Sequence, residues 1–345
     1  MKLPILLERL FGKAVDPESV VALKGDASSR RYHRVVLPPG LLPRSLIVME
    51  LPEDALKSDE AESGATPPEL PFLNMGRFLA EKGVRVPRLY LDAAEDGALL
   101  IEDLGDRILF DEVDRAQIDR LRAWYGAAVD LLVDLHHRMW PVPAGCVAGS
   151  RRFDCALLRW ELDHYREWGI EALRGRPLAG PIREKLDQAF DRLSEDIAAL
   201  ESGFVHRDYQ SRNLMVLAEE ADAKSLGVID FQDALIGPRI YDLVALLNDS
   251  YVDLPDAVKA EMIARYAEKK GLDRDRLTEE FHLVAIQRKL KDGGRFVFID
   301  RVKKNPRFLP FVEGSFSRVR RSLAALPGRS DLKAALAEAD PAHFA

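Results

Sequence analysis

The sequence predicts an α+β fold with two unequal lobes, a small β-rich N-terminal lobe and a large, mainly helical C-terminal lobe. Three observations support this prediction. The chain has 345 residues, which exceeds one small domain. Short apolar, β-branched runs dominate its first third, and amphipathic helical patterns dominate the remainder. We expect the lobes to span residues 1–104 and 105–345, with a ligand-binding cleft between them.

The N-terminal lobe begins with three predicted strands, at residues 20–24, 32–37 and 46–51. The first two are separated by small and polar residues at 25–29, which are typical of a turn. These strands are expected to form an antiparallel sheet.

The rest of this lobe contains a loop, a helix and a further strand. Residues 52–71 mix acidic residues, serine, glycine and proline, which predicts a loop. Residues 72–82 have helical spacing, and Gly83 is a plausible C-cap. A strand at 98–102 runs into 103–106, Asp-Leu-Gly-Asp, the predicted hinge between the lobes.

The C-terminal lobe is predicted to be helical, apart from a short β-like section at 204–229. His136 and His137 are expected to pack within a helix rather than to bind metal, because no acidic partner lies at metal-ligand spacing. The predicted amphipathic helices are 117–140, 153–168, 181–200, 257–270 and 279–290.

Composition and charge narrow the functional classes. The formal net charge is -7, so a broad basic surface for nucleic acid is not expected. The two cysteines, Cys146 and Cys155, predict neither a zinc site nor a disulfide framework. No stretch reads as a signal peptide or a membrane span, so we expect a cytoplasmic protein without a membrane partner.

The most informative segment is residues 204–215, which contains His206-Arg207-Asp208 followed by Asn213. This matches the catalytic-loop pattern His-Arg-Asp-x-x-x-x-Asn of kinases. An aspartate at the start of such a loop can accept the proton of an attacking hydroxyl. An asparagine five residues later can turn back and offer its carbonyl oxygen to Mg²⁺. We therefore predict Asp208 as the catalytic base and Asn213 as a metal ligand.

A second acidic segment follows at residues 226–233, an apolar run that leads to Asp230. Asp230 is predicted to hold Mg²⁺ against the β- and γ-phosphates of ATP. A lone His-Arg-Asp tripeptide is common by chance, so the joint spacing of the three side chains carries the prediction. The alternative, a surface loop with solvated acids, does not explain the apolar strands on either side.

The residues next to Asp208 and Asp230 in the sequence can have more than one role. His206 is expected to be structural, since Asp208 already serves as base. Gln210 and Arg212 could each contact the acceptor or the γ-phosphate. Gln232 and Asp233 could contact substrate or be solvated.

A third segment, Ile236-Gly237-Pro238-Arg239-Ile240-Tyr241-Asp242-Leu243, follows these two. The three together resemble the aminoglycoside phosphotransferase/choline-kinase-like superfamily, which pairs a His-x-Asp-x-x-x-x-Asn loop with Ile-Asp and Gly-x-x-x-x-Asp-Leu. The resemblance implies a protein-kinase-like two-lobed fold. It also implies that Asp242 begins a helix and supports the catalytic loop.

Several segments are similar to a narrower group, the bacterial cell-wall amino-sugar kinases. They are residues 25–32, 100–106, 208–213, 230–234 and 287–291. The resemblance implies phosphorylation of the anomeric hydroxyl of N-acetylmuramate and N-acetylglucosamine, with the hinge receiving adenine. The implied nucleotide-binding residues are Gly25, Ser28, Ser29, Arg30, Arg31, Glu102 and Leu104.

One expected residue is missing. The lysine that grips the α/β-phosphates in kinases should lie near the end of the third strand, where this chain has Met49 and Glu50. We hypothesise that Arg30, Arg31 or Arg34 supplies that charge, because an arginine fork can grip phosphate bidentately.

The basic run at 295–307, with phenylalanines interleaved, is better explained as a solvated helix face with core aromatics than as a nucleic-acid surface. A third interpretation is that Arg288, Lys291 or Arg295 contacts an anionic group of the substrate. The candidate substrate residues are therefore Gln210, Arg212, Gln232, Asp233, Arg288 and Lys291.

The sequence favours an ATP- and Mg²⁺-dependent small-molecule kinase whose acceptor is a sugar. Two alternatives remain. One is a kinase for another acceptor, such as an aminoglycoside, choline, homoserine or a protein hydroxyl. The other is a nucleotide-binding pseudokinase that acts as a regulator. Neither the exact acceptor nor the oligomeric state follows from the sequence.

Overall fold

The computed structural model describes residues 3–23, 30–52, 69–114 and 116–345. Its N-terminal part is a five-stranded antiparallel sheet with strand order β1-β2-β3-β5-β4. Every predicted strand is present within one or two residues, and one was missed. The strands are β1 (Ser19–Leu23), β2 (Arg31–Val36), β3 (Ser45–Glu50), β4 (Leu89–Ala93) and β5 (Ala98–Glu102).

Strand β4 was missed because its sequence pattern is weak. It lies at the edge of the sheet, and its pairing with β5 is irregular between Leu89 and Leu91. Its burial does not alternate cleanly, so the period-2 signal of a half-buried strand is absent.

The two faces of the sheet have different partners. Alternation along β3 sends Leu46 and Val48 to one face, where they pack with helix α1 (Leu3–Phe11). Ile47 and Met49 point to the other face and pack with Tyr32. That second face also receives helix α2 (Pro71–Glu81), whose Phe72 stacks on Phe231 at a ring-centroid distance of 5.0 Å. Helix α2 thus connects the sheet to the segment that carries Asp230.

Helix α2 agrees with the prediction at both ends. Pro71 occupies its first turn, where a missing N–H carries no penalty. Gly83 follows the C-cap with a φ of +74°, a conformation that glycine adopts without strain. Most of the predicted loop at 52–71 lies outside the described residues.

The remainder of the chain is mainly helical and packs around one large hydrophobic core. The predicted α+β architecture, with a β-rich N-terminal part and a helical remainder, is therefore confirmed. Helix α4 continues into a π-helical segment, Tyr165–Ala172. The helices are α3 (Ile118–Met139), α4 (Cys155–His164), α5 (Gly180–Ala198), α6 (Tyr241–Leu247), α7 (Asp256–Lys270), α8 (Arg274–Arg301), α9 (Val312–Ala325), α10 (Ser330–Ala339) and α11 (Pro341–Phe344).

Helix α8 corrects the prediction of a helix at 279–290. It runs for 28 residues, from Arg274 to Arg301, and is buried on most sides, which removes the amphipathic period. Gly293 and Gly294 lie inside this helix and allow close packing. A Cβ at Gly294 would lie 2.6 Å from the Cα of Tyr165 in the π-helical segment.

Two small antiparallel ladders position the candidate site. Strand β6 (Ser202–Val205) pairs with β9 (Leu235–Pro238), and β7 (Leu214–Val216) pairs with β8 (Leu226–Val228). Val205 and Leu214 flank the predicted catalytic loop, and β8 leads to Asp230, so the two acidic segments emerge side by side. Among the residues described, no helix combines the length and apolar character that crossing a membrane requires.

Candidate active site

The predicted catalytic loop is held by a buried carboxylate. Asp242, in the first turn of α6, is fully buried. Its Oδ2 accepts the backbone N–H of His206 at 2.7 Å, and its Oδ1 accepts that of Arg207 at 2.9 Å. The prediction that Asp242 begins a helix and supports this loop is confirmed. Charge-assisted bonds of this kind are about twice as strong as neutral ones.

Two histidines complete this support. The Nε2 of His206 lies 3.1 Å from the carbonyl oxygen of Ile229, which ties the loop to the residue before Asp230. Burial lowers the pKa of His206, so the ring is neutral and structural, as predicted. His136 is packed in α3, as expected, but its Nε2 also lies 3.2 Å from Asp242 Oδ2. Sequence spacing could not reveal that contact, because 106 residues separate the two.

Arg207 gives the loop its shape. Its φ is +80°, a left-handed conformation that strains a non-glycine residue by about 1–2 kcal/mol. The side chain is buried and pairs with Glu161 at 3.0 Å, and Gln287 donates to the other oxygen of Glu161 at 2.8 Å. This buried ion pair offsets the strain and fixes the backbone just before Asp208.

Arg288 lies behind Asp208 rather than in the substrate space. Its Nη1 donates to the carbonyl oxygen of Arg207 at 2.9 Å, and its Nη2 lies 3.5 Å from Asp208 Oδ1. The guanidinium is 1% exposed and lies 4.9 Å from the centre of the Tyr241 ring. The expectation that Arg288 contacts substrate is therefore corrected, because the residue positions Asp208.

Asn213 and Asp230 meet beside Asp208. The Nδ2 of Asn213 donates to the backbone oxygen of Asp208 at 2.8 Å and lies 3.4 Å from Asp230 Oδ2. Since the amide nitrogen is occupied, the amide oxygen is the group left for a metal. Gln232 Nε2 donates to Asp230 Oδ1 at 2.8 Å, which orients that carboxylate from its other side.

The electrostatics of this cluster fit a cation. Water reaches Asp230 from the cleft, yet desolvation there and the nearby charge of Asp208 raise its pKa to about 6. Asp233 adds further negative charge. Bound Mg²⁺ would relieve this repulsion, and the two oxygen donors, Asn213 and Asp230, match its preference.

No group of three His, Cys, Asp or Glu side chains in the described part of the chain is placed to hold a metal. Nucleotide-bound Mg²⁺ does not require one, because phosphate oxygens and water complete its octahedron. The residues present therefore fit a metal that arrives with a nucleotide.

A cavity of about 220 Å³ opens over this cluster. Asp208, Asn213 and Asp230 line it together with most candidate substrate residues, namely Gln210, Arg212, Gln232, Asp233 and Lys291. The structure thus places side by side residues that are up to 83 positions apart, from Asp208 to Lys291. Sequence reasoning missed other residues of its wall, Ser250, Tyr251, Asp292, Ile299 and the cavity-facing role of Phe296 and Phe308.

The far wall of this cavity is aromatic and basic. The Arg212 guanidinium lies 3.6 Å from the centre of the Tyr251 ring, and Phe296 stacks on Phe308 at 5.7 Å. Arg295 lines the same wall. Phe296 and Phe308 are core residues, as predicted for the basic run with interleaved phenylalanines, and both also line the cavity.

The three arginines that could replace the absent lysine have different partners. Arg30 lines the cavity. Arg31 lies on the opposite face of the sheet from Tyr32, and its Nε is 3.8 Å from Glu50. Arg34 donates to Asp103 at 2.9 Å and to Asp106 at 2.6 Å, so its guanidinium is directed at the predicted hinge and not at the cavity. Gly25, Ser28 and Ser29 lie outside the described residues.

At the predicted hinge, Glu102 and Leu104 differ in their hydrogen bonding. The carboxylate of Glu102 is bound by both terminal nitrogens of Arg85 at 2.7 Å, and its backbone N–H donates to Arg88. Neither the carboxylate nor the backbone N–H of Glu102 is therefore free to bind adenine. Within the described residues, no backbone carbonyl accepts the N–H of Leu104. That N–H is the better candidate to meet a base.

The sequence of this chain is similar to those of known phosphotransferases and kinases. The model of the phosphotransferase enzyme family (APH) matches residues 19–279. A curated relative from Pseudomonas aeruginosa, named N-acetylmuramate/N-acetylglucosamine kinase, is 31% identical, covering 94% of this chain and 89% of its own. A relative of the same name from Caulobacter vibrioides is 26% identical, covering 84% of each chain.

Solved structures show the same fold at lower sequence identity. The GDP complex of wild-type aminoglycoside 2'-phosphotransferase-IIIa has a TM-score of 0.59 at 15% identity, covering 93% of this chain and 97% of its own. A choline kinase from Cryptosporidium parvum has a TM-score of 0.61 at 11% identity, covering 91% of both chains. The predicted kinase-like two-lobed fold is thereby confirmed.

Proposed function

Since this chain belongs to the phosphotransferase enzyme family, we propose that it transfers the γ-phosphoryl group of ATP to the anomeric hydroxyl of an N-acetylmuramate- or N-acetylglucosamine-type sugar. The observation that carries this proposal is the convergence of Asp208, Asn213 and Asp230 on one side of a single cavity. The names of the curated relatives support the choice of acceptor.

In this proposal Asp208 acts as general base. Its carboxylate faces the cavity and accepts the proton of the acceptor hydroxyl as that oxygen attacks phosphorus. Arg288 holds Asp208 from behind, and the strained Arg207 fixes the backbone next to it. The rate gain would come mainly from positioning and from neutralisation of phosphate charge.

Asn213 and Asp230 would hold Mg²⁺, which neutralises charge on the β- and γ-phosphates when bound. Arg30 is our candidate for the charge that the absent lysine supplies elsewhere. The backbone N–H groups near Gly25, Ser28 and Ser29 are proposed to cover the phosphates. The hinge at Leu104 is proposed to receive adenine.

The acceptor would occupy the aromatic and basic half of the cavity. Arg212 stacks on Tyr251, both line the cavity with Gln210, and we expect a sugar ring to pack against this aromatic surface. Lys291 and Arg295 line the cavity together with Asp292, which lies 4.0 Å from Lys291, and the two cations suit the carboxylate of an N-acetylmuramate-type acceptor.

An acceptor panel tests the proposal. ADP release is measured with N-acetylmuramate, N-acetylglucosamine, an aminoglycoside, choline, homoserine and a protein substrate, and the product is identified by NMR. We expect turnover with the amino sugars and phosphate on the anomeric oxygen. Turnover only with another acceptor would replace the sugar assignment. ATP binding without turnover on any acceptor would favour the pseudokinase alternative.

The lobe boundary at residues 104 and 105 and a cytoplasmic location remain predictions. Arg34 bonds to residues on both sides of that boundary, Asp103 and Asp106.

A further inference from the structure

A second cavity, of about 420 Å³, lies among α7, α8 and α9. It shares no lining residue with the cavity at Asp208. Apolar Ile263 and Phe281 form part of its wall, and Asn248 lies at one edge. The volume is in the range of pockets that bind small molecules.

The charge of this second cavity is strongly unbalanced. Its lining contains four basic side chains, Lys259, Arg274, Arg318 and Arg321, and one carboxylate, Asp256. Outside the lining, Asp253 pairs with Arg321 at 3.4 Å and lies 4.0 Å from Arg318, so cations still outnumber carboxylates four to two. This contrasts with the net negative charge of the whole chain. An excess of cations around one concave space concentrates positive potential there, because the surrounding protein screens charge poorly.

Lys259 is the most informative of these groups. It is 8% exposed, and its Nζ is 3.9 Å from Asp256 Oδ1, which is beyond hydrogen-bond distance. That carboxylate is largely exposed and also pairs with Arg321 at 3.3 Å. Burial, followed by the charges of Arg321 and Arg318, lowers the pKa of Lys259 to about 8. A buried ammonium with so weak a partner is costly to fold and calls for an anion.

Two further donors face the same space. Arg318 is 4% exposed; its terminal nitrogens donate to the backbone oxygens of Gly314 and Val252, while its Nε has no partner among the described residues. His282 lies 3.3 Å from Ser322 Oγ, and burial together with the charge of Lys259 lowers its pKa. A neutral imidazole and a hydroxyl would add hydrogen bonds to an anion without adding charge.

We propose that this cavity is a second, anion-binding site that takes inorganic phosphate or a small phosphate monoester. The Nε of Arg318 and the N–H groups of Arg321 not directed at Asp253 and Asp256 can donate to phosphate oxygens, and Lys259 supplies a compact charge at the buried end. The site is separate from the catalytic one, so the proposal does not depend on the acceptor assigned above.

The test is a titration of the full-length chain with inorganic phosphate, at constant ionic strength set by chloride. Melting temperature and calorimetric heat are followed for the wild type, Lys259→Met and Arg30→Gln. Methionine keeps the length of the side chain and removes the uncompensated charge, so Lys259→Met should fold. Arg30→Gln reports phosphate that binds in the catalytic cavity instead.

We expect a saturable rise in wild-type melting temperature and an affinity at least about tenfold weaker in Lys259→Met. Arg30→Gln should leave this affinity unchanged. Absence of saturable binding to the wild type would overturn the proposal. So would an affinity lost in Arg30→Gln but kept in Lys259→Met.

A parallel titration with methyl phosphate distinguishes the two sources of the anion. If methyl phosphate binds more tightly than inorganic phosphate, the site takes a monoester; if it binds more weakly, the site takes the free ion. Lys259→Met is titrated with both compounds as the control. If Lys259→Met does not fold, Arg321→Gln on the cavity rim replaces it, with the same expected weakening.

Discussion

Replacing Asp242 with asparagine removes one acceptor from the catalytic loop while keeping its shape. The carboxylate accepts two backbone N–H groups, from His206 at 2.7 Å and from Arg207 at 2.9 Å. Asparagine has one oxygen, so one of these two N–H groups would face the amide nitrogen, which is itself a donor. His136, 3.2 Å away, would lose its charged partner.

The expected loss of stability follows from these contacts. A buried donor left without an acceptor destabilises by about 1–3 kcal/mol. The remaining hydrogen bond, which changes from charge-assisted to neutral, loses about 1 kcal/mol more. The free energy of unfolding should therefore fall by about 2–4 kcal/mol. Because the loop then moves relative to the cavity, kcat should fall roughly 100-fold.

Equilibrium urea unfolding and an ADP-release assay measure the two effects. Asp119→Asn is the matched control, since Asp119 also lies in the first turn of a helix but its side chain is 95% exposed. The control should change the free energy of unfolding by less than about 0.5 kcal/mol. If Asp242→Asn behaved like this control in both assays, the reasoning that this carboxylate organises the loop would be refuted.

Asp230, Arg30 and Gly294 each allow a perturbation with a matched comparison. Because the pKa of Asp230 is raised to about 6 in the folded chain, the ligand-free protein loses stability as pH rises toward and through that value. Asp230→Asn should therefore raise the melting temperature at pH 7.5, and the increase should become smaller toward pH 5. An equal increase at both pH values would show that the raised pKa of Asp230 is not the cause. Arg30→Gln should raise the KM for ATP about tenfold or more, whereas Arg31→Gln should leave it unchanged; equal effects would reject our choice of Arg30. Gly294→Ala places a methyl group 2.6 Å from the backbone of the π-helical segment and should destabilise by about 1–3 kcal/mol in urea unfolding. Gly328→Ala, in open space, is its control, and equal losses would show that close packing is not the reason for glycine at 294.

Local patterns were sufficient to predict most strands and helices, and they singled out three residues that line one cavity in the structure. Asp208, Asn213 and Asp230 follow from short spacing, because the loop and strand that carry them lie within 23 residues. Helix α2 followed from its periodicity and from the glycine that ends it. In each case the determining interactions are close in sequence.

Features that depend on tertiary contact could not be predicted. The role of Arg288 behind Asp208 and the pairing of Arg34 with the hinge link residues about 70–80 positions apart. The length of α8 was missed because a helix buried on most sides has no polar face to mark its period. Tyr251 and Phe296 carry no motif, and only packing reveals that they line the cavity.

The central claim is that one carboxylate, Asp208, takes the proton at a centre where Asn213 and Asp230 hold the metal–nucleotide. Asp208→Asn tests it directly, with nucleotide affinity measured by calorimetry and turnover measured by ADP release with N-acetylmuramate. We predict ATP–Mg²⁺ affinity within about threefold of wild type and a loss of kcat of about 10²–10⁴. Turnover near the wild-type rate, with the fold intact, would contradict the account.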